Sequence, residues 1–228
     1  MTSIAANLQA VRARIAAACA AAGRPADSVH LLAVSKTWPA ASVRQAVAAG
    51  QRAFGENYVQ EALDKIAELA AAGIDWHFIG PLQANKTRPV AENFSWVHSV
   101  DRLRIAERLA AQRPPHLPPL QVCLQVNVSG EASKSGCMPD QALALATTIA
   151  ALPQLRLRGL MAIPQPTLDV ERQRRQFALL RTTFQQIRQA ADLDLDTLSM
   201  GMSDDLEAAI AEGATVVRIG TAIFGQRD

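Results

Sequence analysis

The chain has 228 residues, of which 49% are hydrophobic and 4% aromatic, and its 23 basic and 21 acidic residues give a net charge of +2. This near balance gives no electrostatic reason to expect nucleic acid or an anionic membrane as a partner. No apolar run reaches the length of about 18 residues that would indicate a membrane span. The three cysteines are widely spaced, which indicates reduced thiols and predicts a cytoplasmic protein.

The first predicted element is an amphipathic helix, because apolar residues recur at steps of three and four positions. These residues are Ile4, Leu8, Val11, Ile15 and Cys19. A break at 23–25 separates this helix from residues 30–36, a continuous apolar run that ends in turn residues. Such a run predicts a buried strand, and it places Lys36 at the C-terminal end of that strand.

Seven further strands are predicted, each followed by a helical pattern. They lie at 52–55, 75–79, 95–99, 120–128, 155–161, 196–199 and 215–219. Eight strands that alternate with helices predict an α/β fold, a (β/α)8 TIM barrel with an additional N-terminal helix. An open doubly wound sheet is the alternative. We expect residues 1–228 to form a single domain.

Lys36 is one of only four lysines among the 23 basic residues. A lysine can lose its proton when it is desolvated and can then attack a carbonyl group, which an arginine cannot do. In a barrel the active site lies at the C-terminal ends of the strands. The residues predicted to converge there are Lys36, Asn57, His77, Asn127, Met161, Ser199, Ser203, Arg218, Gly220 and Thr221.

Two small, hydroxyl-bearing segments follow the last two strands. They are residues 199–205 and 220–221, and both stand just before predicted helices. Barrels commonly bind phosphate at this position, where backbone N–H groups meet the anion. Ordinary helix capping by Ser203 and Thr221 is the alternative interpretation.

Arg218 lies inside an otherwise apolar strand, where a charge is costly unless it is paired. It either forms an ion pair, for example with Asp196 or Glu56, or faces a ligand. Together with Lys36, the site would combine an amine, a phosphate cradle and a fixed donor, which are the three groups that pyridoxal phosphate requires. No two of the four histidines lie three or four residues apart, so no helix-borne metal site is predicted.

Six segments in order carry a resemblance to a known family. They are residues 33–37 (AVSKT), 54–61 (FGENYVQE), 76–86 (WHFIGPLQANK), 159–161 (GLM), 198–205 (LSMGMSDD) and 217–225 (VRIGTAIFG). They resemble the pyridoxal phosphate homeostasis proteins, a family similar to the N-terminal barrel of alanine racemases. The resemblance implies pyridoxal phosphate on Lys36 as an internal aldimine.

The same resemblance implies roles for the other cofactor-binding residues. Ser203, Gly220 and Thr221 would hold the phosphate, and Arg218 would face the ring nitrogen. Asn57 would lie beside the cofactor, and Met161 is assigned to the site through its GLM motif. The family is regarded as binding and buffering the cofactor, with effects on amino-acid and keto-acid balance and no established catalytic residue.

Catalysis is not favoured, because an arginine facing the ring nitrogen leaves that nitrogen unprotonated and the ring a weaker electron sink. Racemisation also needs a base on each face of the substrate, and the sole tyrosine, Tyr58, is interpreted as a structural or ligand-lining residue. We therefore predict storage, buffering or delivery of pyridoxal phosphate. The alternatives are a small pyridoxal-phosphate-dependent amino-acid racemase, or a phosphosugar-type enzyme in which Lys36 reacts with substrate directly.

The expected partners are pyridoxal phosphate itself and apo-enzymes that depend on it, and we expect a monomer. Lys134, on the loop after the fifth strand, is predicted to stay solvated, or else to approach an anion at the barrel mouth.

Overall fold

The computed structural model describes residues 3–131 and 134–226. Its strands are β1 His30–Val34, β2 Ala53–Glu56, β3 Asp75–Phe78, β4 Trp96–Val100, β5 Leu120–Gln125, β6 Leu155–Met161, β7 Thr197–Ser199 and β8 Val216–Ile219. All are parallel and follow one another in order around a closed barrel, in which β8 pairs with β1. The (β/α)8 prediction is confirmed, and the open doubly wound alternative is wrong.

Helices surround the barrel, and short 3₁₀ turns join several of the elements. The helices are α1 Ile4–Ala21, α2 Ala40–Ala48, α3 Val59–Glu68, α4 Thr87–Asn93, α5 Leu103–Gln112, α6 Ala142–Ala150, α7 Val170–Ala191, α8 Leu206–Ala211 and α9 Thr221–Phe224. The predicted N-terminal helix is α1, which packs against α8 and α9. None of the helices that the structure describes is long and apolar enough to cross a membrane.

Side chains of each strand alternate between the barrel lumen and the layer beneath the helices. Phe54, Trp76 and Phe78 point outward into the large apolar layer. Leu32 and Val34 point inward and belong to a separate small cluster in the lumen. This alternation decides which residues can reach a site inside the barrel mouth.

The first and fifth strands end earlier than predicted. Strand β1 ends at Val34, so that Lys36 lies two residues beyond it in a turn. Strand β5 ends at Gln125, after which Val126 makes only an isolated bridge to Cys137. The loop after β5 therefore folds back on the strand end instead of extending it.

An ion pair between α1 and α8 ties the extra helix to the barrel. Arg14 donates to both carboxylate oxygens of Glu207, at 2.5 and 2.7 Å. These hydrogen bonds hold the pKa of Glu207 below its ordinary value. Both side chains are partly exposed, so the contribution to stability is small.

We expect Glu207→Gln to lower the free energy of unfolding by less than about 1 kcal/mol at neutral pH. A depressed folded-state pKa stabilises the protein above the unfolded-state pKa of about 4.3. That contribution is lost as pH falls through the folded-state pKa, so variant and wild type should converge in acid. Urea denaturation at neutral and acid pH measures the difference, and a deficit that persists in acid would contradict the assignment.

Candidate functional site

A cavity of about 250 Å³ opens at the C-terminal ends of the strands. Its lining consists of Val34, Lys36, Asn57, Ile79, Ile163, Met202, Ser203, Asp204, Arg218, Gly220 and Thr221. Six of the seven residues predicted to bind the cofactor thus line one cavity. The seventh, Met161, ends β6 with its side chain fully buried and does not belong to this lining.

Lys36 is directed toward the cavity by the residue before it. Ser35 is fully buried, and its Oγ donates to Glu56 Oε1 at 2.6 Å. Lys65 Nζ donates to the carbonyl oxygen of Ser35 at 2.8 Å. Ser35 is thus held from outside the barrel, and Lys36, the next residue in the turn, lines the cavity.

The residue after Lys36 is held by the same cluster. Thr37 has a φ of 68°, a left-handed conformation that is uncommon for a β-branched residue. Its backbone N–H donates to Glu61 Oε1 at 2.6 Å, and that oxygen also accepts from Lys65 Nζ at 2.6 Å. The turn that carries Lys36 is therefore fixed on both sides.

Glu56 and Lys65 form the buried centre of this cluster. Their charged atoms are 2.8 Å apart, and the two side chains are 0% and 6% exposed. Burial raises the pKa of Glu56, and the hydrogen bond from Lys65 opposes that rise. The second carboxylate oxygen, Oε2, is buried without a hydrogen-bond partner among the described residues, so Lys65 carries most of the compensation for this charge.

Arg218 is held rigidly although it is buried. Its Nη1 donates to the carbonyl oxygen and to the Oγ of Ser199, at 2.6 and 2.8 Å, and its Nη2 donates to the carbonyl oxygen of Ala162 at 2.8 Å. Burial lowers its pKa to about 10, so the guanidinium remains charged at neutral pH. Arg218 thus presents a fixed positive group to the cavity.

The ion pairs considered for Arg218 from the sequence are wrong. Asp196 pairs instead with Arg158, which donates to both of its carboxylate oxygens. Glu56 pairs with Lys65, as described above. Neither carboxylate is left to neutralise Arg218, because each has a closer cation on a neighbouring element.

The capping interpretation of Ser203 and Thr221 is also wrong. The N-cap of α8 is Asp205 and the N-cap of α9 is Gly220, and neither makes a side-chain capping hydrogen bond. Asp205 instead accepts from the backbone N–H of Met202 at 2.6 Å, which closes the loop after β7. The hydroxyl-bearing residues are left to line the cavity.

Three other residues predicted at this mouth lie elsewhere. His77 points into a second cavity at the opposite mouth, where its ring stacks on Trp96 at 5.3 Å, because Ile79 takes the rim position of the same strand face. Ser199 is fully buried behind Arg218. Asn127 accepts from the backbone N–H groups of residues 129 and 130 and so shapes the loop after β5.

Lys134 is half-buried beside the main site. It lines a cavity of about 190 Å³ that shares the walls Ile79 and Ile163 with the Lys36 cavity. No group of three or more metal-ligating side chains occurs within residues 3–131 and 134–226.

The fold and the site define a class of protein, a (β/α)8 barrel with an amine after β1 and hydroxyl groups after β7 and β8. The family model described as "Alanine racemase, N-terminal domain" matches residues 6–228. A protein of Pseudomonas aeruginosa is 65% identical over 228 residues, covering 100% of this chain and 97% of that protein. A protein of Escherichia coli K12 is 56% identical over 238 residues, covering 100% of this chain and 98% of the relative.

Both relatives are named pyridoxal phosphate homeostasis protein. Among solved structures, the PipY protein of Synechococcus elongatus PCC7942 with PLP bound has a TM-score of 0.87 at 42% identity, covering 98% of this chain and 100% of that one. The chain belongs to the pyridoxal phosphate homeostasis protein family, and the resemblance of the six sequence segments is confirmed.

Proposed function

We propose that this chain binds pyridoxal phosphate through Lys36 and holds it in reserve for enzymes that need it. The observation that carries the proposal is the single cavity shared by Lys36, Arg218, Ser203 and Thr221. The names of the relatives and the PLP-bound PipY structure support it. The proposal includes a monomeric, single-domain, cytoplasmic protein with apo-enzymes as recipients.

The residues that line the cavity fit the aldehyde and the phosphate of the cofactor. When bound, pyridoxal phosphate supplies an aldehyde that condenses with an amine to a Schiff base and releases one water. Hydrolysis takes that water up again and frees both groups, so attachment at Lys36 is reversible. Ser203 and Thr221 offer hydroxyl donors for the phosphate, and the Oδ1 of Asn57 is buried without a hydrogen-bond partner among the described residues.

Two features favour a carrier over a racemase. Arg218 remains a hydrogen-bond donor at ordinary pH, so a ring nitrogen facing it receives no proton. Tyr58 is 55% exposed and does not line the cavity, so it supplies no base opposite Lys36. Retention and release of the cofactor are therefore favoured over proton abstraction from a substrate.

The test is transfer of the cofactor to an apo-transaminase in the presence of a phosphatase that destroys free pyridoxal phosphate. We expect the loaded protein to restore transaminase activity under conditions in which an equal concentration of free cofactor does not. Equal recovery from both sources would overturn the delivery role.

Two further observations separate the alternatives. Sustained inversion of an amino acid, measured by chiral chromatography and lost in Lys36→Ala, would favour the racemase. A purified protein that gains no visible absorption band when pyridoxal phosphate is added would contradict cofactor binding and favour direct reaction of Lys36 with a substrate.

A further inference from the structure

The barrel lumen contains a line of polar side chains that begins at Arg218 and continues beyond the proposed cofactor site. Barrel interiors are ordinarily filled by branched apolar side chains. Here four polar residues with at most 6% exposure share the lumen, and a buried polar group is costly unless it is hydrogen-bonded. They are His77, His98, Ser199 and Arg218.

These side chains are hydrogen-bonded in series from one barrel mouth toward the other. Arg218 Nη1 lies 2.8 Å from Ser199 Oγ, which lies 2.7 Å from His98 Nδ1. His98 Nε2 lies 2.9 Å from His77 Nδ1. His77 Nε2 lies 3.3 Å from Asp75 Oδ2, and the Asp75 side chain is 46% exposed at the N-terminal mouth.

For two neutral imidazole rings, the two ends of the series determine the direction of every hydrogen bond in it. A guanidinium only donates and a carboxylate only accepts. His77 Nε2–H therefore donates to Asp75, which leaves His77 Nδ1 to accept from His98 Nε2–H. His98 Nδ1 must then accept from the hydroxyl of Ser199, whose oxygen accepts from Arg218. Burial also keeps His98 neutral, since it lowers the pKa of that ring well below its ordinary value.

We propose that Ser199, His98, His77 and Asp75 are positioning residues for Arg218, which connect its buried charge to a carboxylate at the opposite mouth of the barrel. The other hydrogen-bond acceptors of Arg218 are neutral carbonyl groups, and the carboxylate of Asp205 acts on Arg218 through space without a hydrogen bond to it. A series in which all the bonds point the same way is polarised cooperatively in a low-dielectric interior. The negative charge of Asp75 thereby favours the orientation in which Ser199 accepts from Arg218.

The N-terminal mouth contains other charged or titratable side chains. Its cavity of about 500 Å³ is also lined by Asp27, His30, Arg158 and Asp196. Arg158 and Asp196 form an ion pair with each other. Asp27 lines the same cavity without touching the series, so it is a matched control for removal of one carboxylate charge.

The direction of the series can be tested without any cofactor. Heteronuclear NMR of the histidine ring nitrogens, in the ligand-free protein, distinguishes the two neutral tautomers and the imidazolium form. We expect His77 and His98 to be neutral and protonated at Nε2. A proton on Nδ1 of His98 would reverse the series and overturn the proposal.

The link between the hydrogen-bonded series and cofactor binding rests on the proposed function. It is tested by comparing the variant Asp75→Asn with the control variant Asp27→Asn. Asp75→Asn is expected to weaken pyridoxal phosphate binding about fivefold or more and to shift the pH profile of the visible band. Asp27→Asn should bind the cofactor as the wild type does. Ser199→Ala should weaken binding as Asp75→Asn does. Ser199→Thr keeps the hydroxyl group and should recover part of the affinity lost in Ser199→Ala. Thermal denaturation checks that each variant is folded.

The outcomes separate this inference from the proposed function. Identical binding and pH profiles in Asp75→Asn and Asp27→Asn would overturn the link between the two mouths. Absence of the visible band in the wild type would overturn the proposed function, while the NMR measurement would still decide the hydrogen-bonded series.

Discussion

Replacing Lys36 with alanine is expected to abolish covalent attachment of pyridoxal phosphate. Lys36 is the lysine that lines the cavity together with Ser203, Thr221 and Arg218. Without its amine no Schiff base forms in that cavity, so the visible absorption band should be lost completely. Absorbance during titration with the cofactor measures the effect, and Lys36→Arg should fail in the same way because arginine does not lose its proton.

The matched control is Lys86→Ala, since Lys86 is an exposed lysine on a 3₁₀ turn and does not line the cavity. That variant should retain the full band. Borohydride reduction followed by peptide mapping locates the modified lysine in the wild type. A label on Lys65 or Lys134, or a band that persists in Lys36→Ala, would contradict the assignment.

The barrel was predictable because its signals are local. Each buried strand is a short apolar run bounded by turn residues. The strand ends and the loops after them place Lys36, Ser203, Arg218 and Thr221 at one end of any parallel barrel. Six of the eleven cavity-lining residues were found by this reasoning together with the family resemblance. The mouth of the barrel at which a strand ends is predictable even when the last residue of that strand is not.

The direction in which a side chain points was less predictable, because it depends on register. His77 was placed at the C-terminal mouth from its position late in a strand, but Ile79 occupies that mouth and His77 faces the other. A shift of one position along a strand exchanges the lumen for the outer layer. Sequence spacing alone does not determine how far along the barrel axis an inward residue lies.

The cluster that holds Lys36 was missed for a different reason. Glu61 and Lys65 are four residues apart on a helix, which by itself indicates an ordinary surface pair. The structure packs that pair against Glu56, at the end of β2, and Ser35, in the turn after β1. Such a cluster depends on packing between elements that are distant in the chain. The sequence contained one indication of it, which is a second lysine, in a chain with few lysines, close to the motif at 54–61.

Removing Lys65 is expected to have the largest effect on stability of the substitutions considered. Lys65→Met keeps an apolar stem of similar length but leaves Glu56 charged, buried and unpaired. Breaking a buried pair in this way costs about 3–5 kcal/mol of unfolding free energy. Chemical denaturation at neutral pH measures the loss. Slower Schiff-base formation should accompany it because the carbonyl group of Ser35 loses one of its two donors and keeps the backbone N–H of Trp38.

The pH dependence of the unfolding free energy lost in Lys65→Met identifies the cause of the loss. Burial already raises the pKa of Glu56, and removal of Lys65 takes away the hydrogen bond that opposes the rise. A carboxyl group whose folded-state pKa exceeds its unfolded-state pKa favours the folded state once it is protonated. The deficit of Lys65→Met should therefore narrow as pH falls through the folded-state pKa of Glu56, and a deficit independent of pH would indicate a packing defect instead.

Three further variants complete this test, namely Arg44→Met, Glu56→Gln and the double variant of Glu56 and Lys65. Arg44→Met breaks the exposed pair with Glu68, whose side chains are 57% and 55% exposed, and should cost less than about 1 kcal/mol. The double substitution Glu56→Gln with Lys65→Met should recover part of the stability, because the uncompensated charge is then absent. If the double variant were as unstable as the sum of the single variants Glu56→Gln and Lys65→Met, Glu56 and Lys65 would not act as a pair.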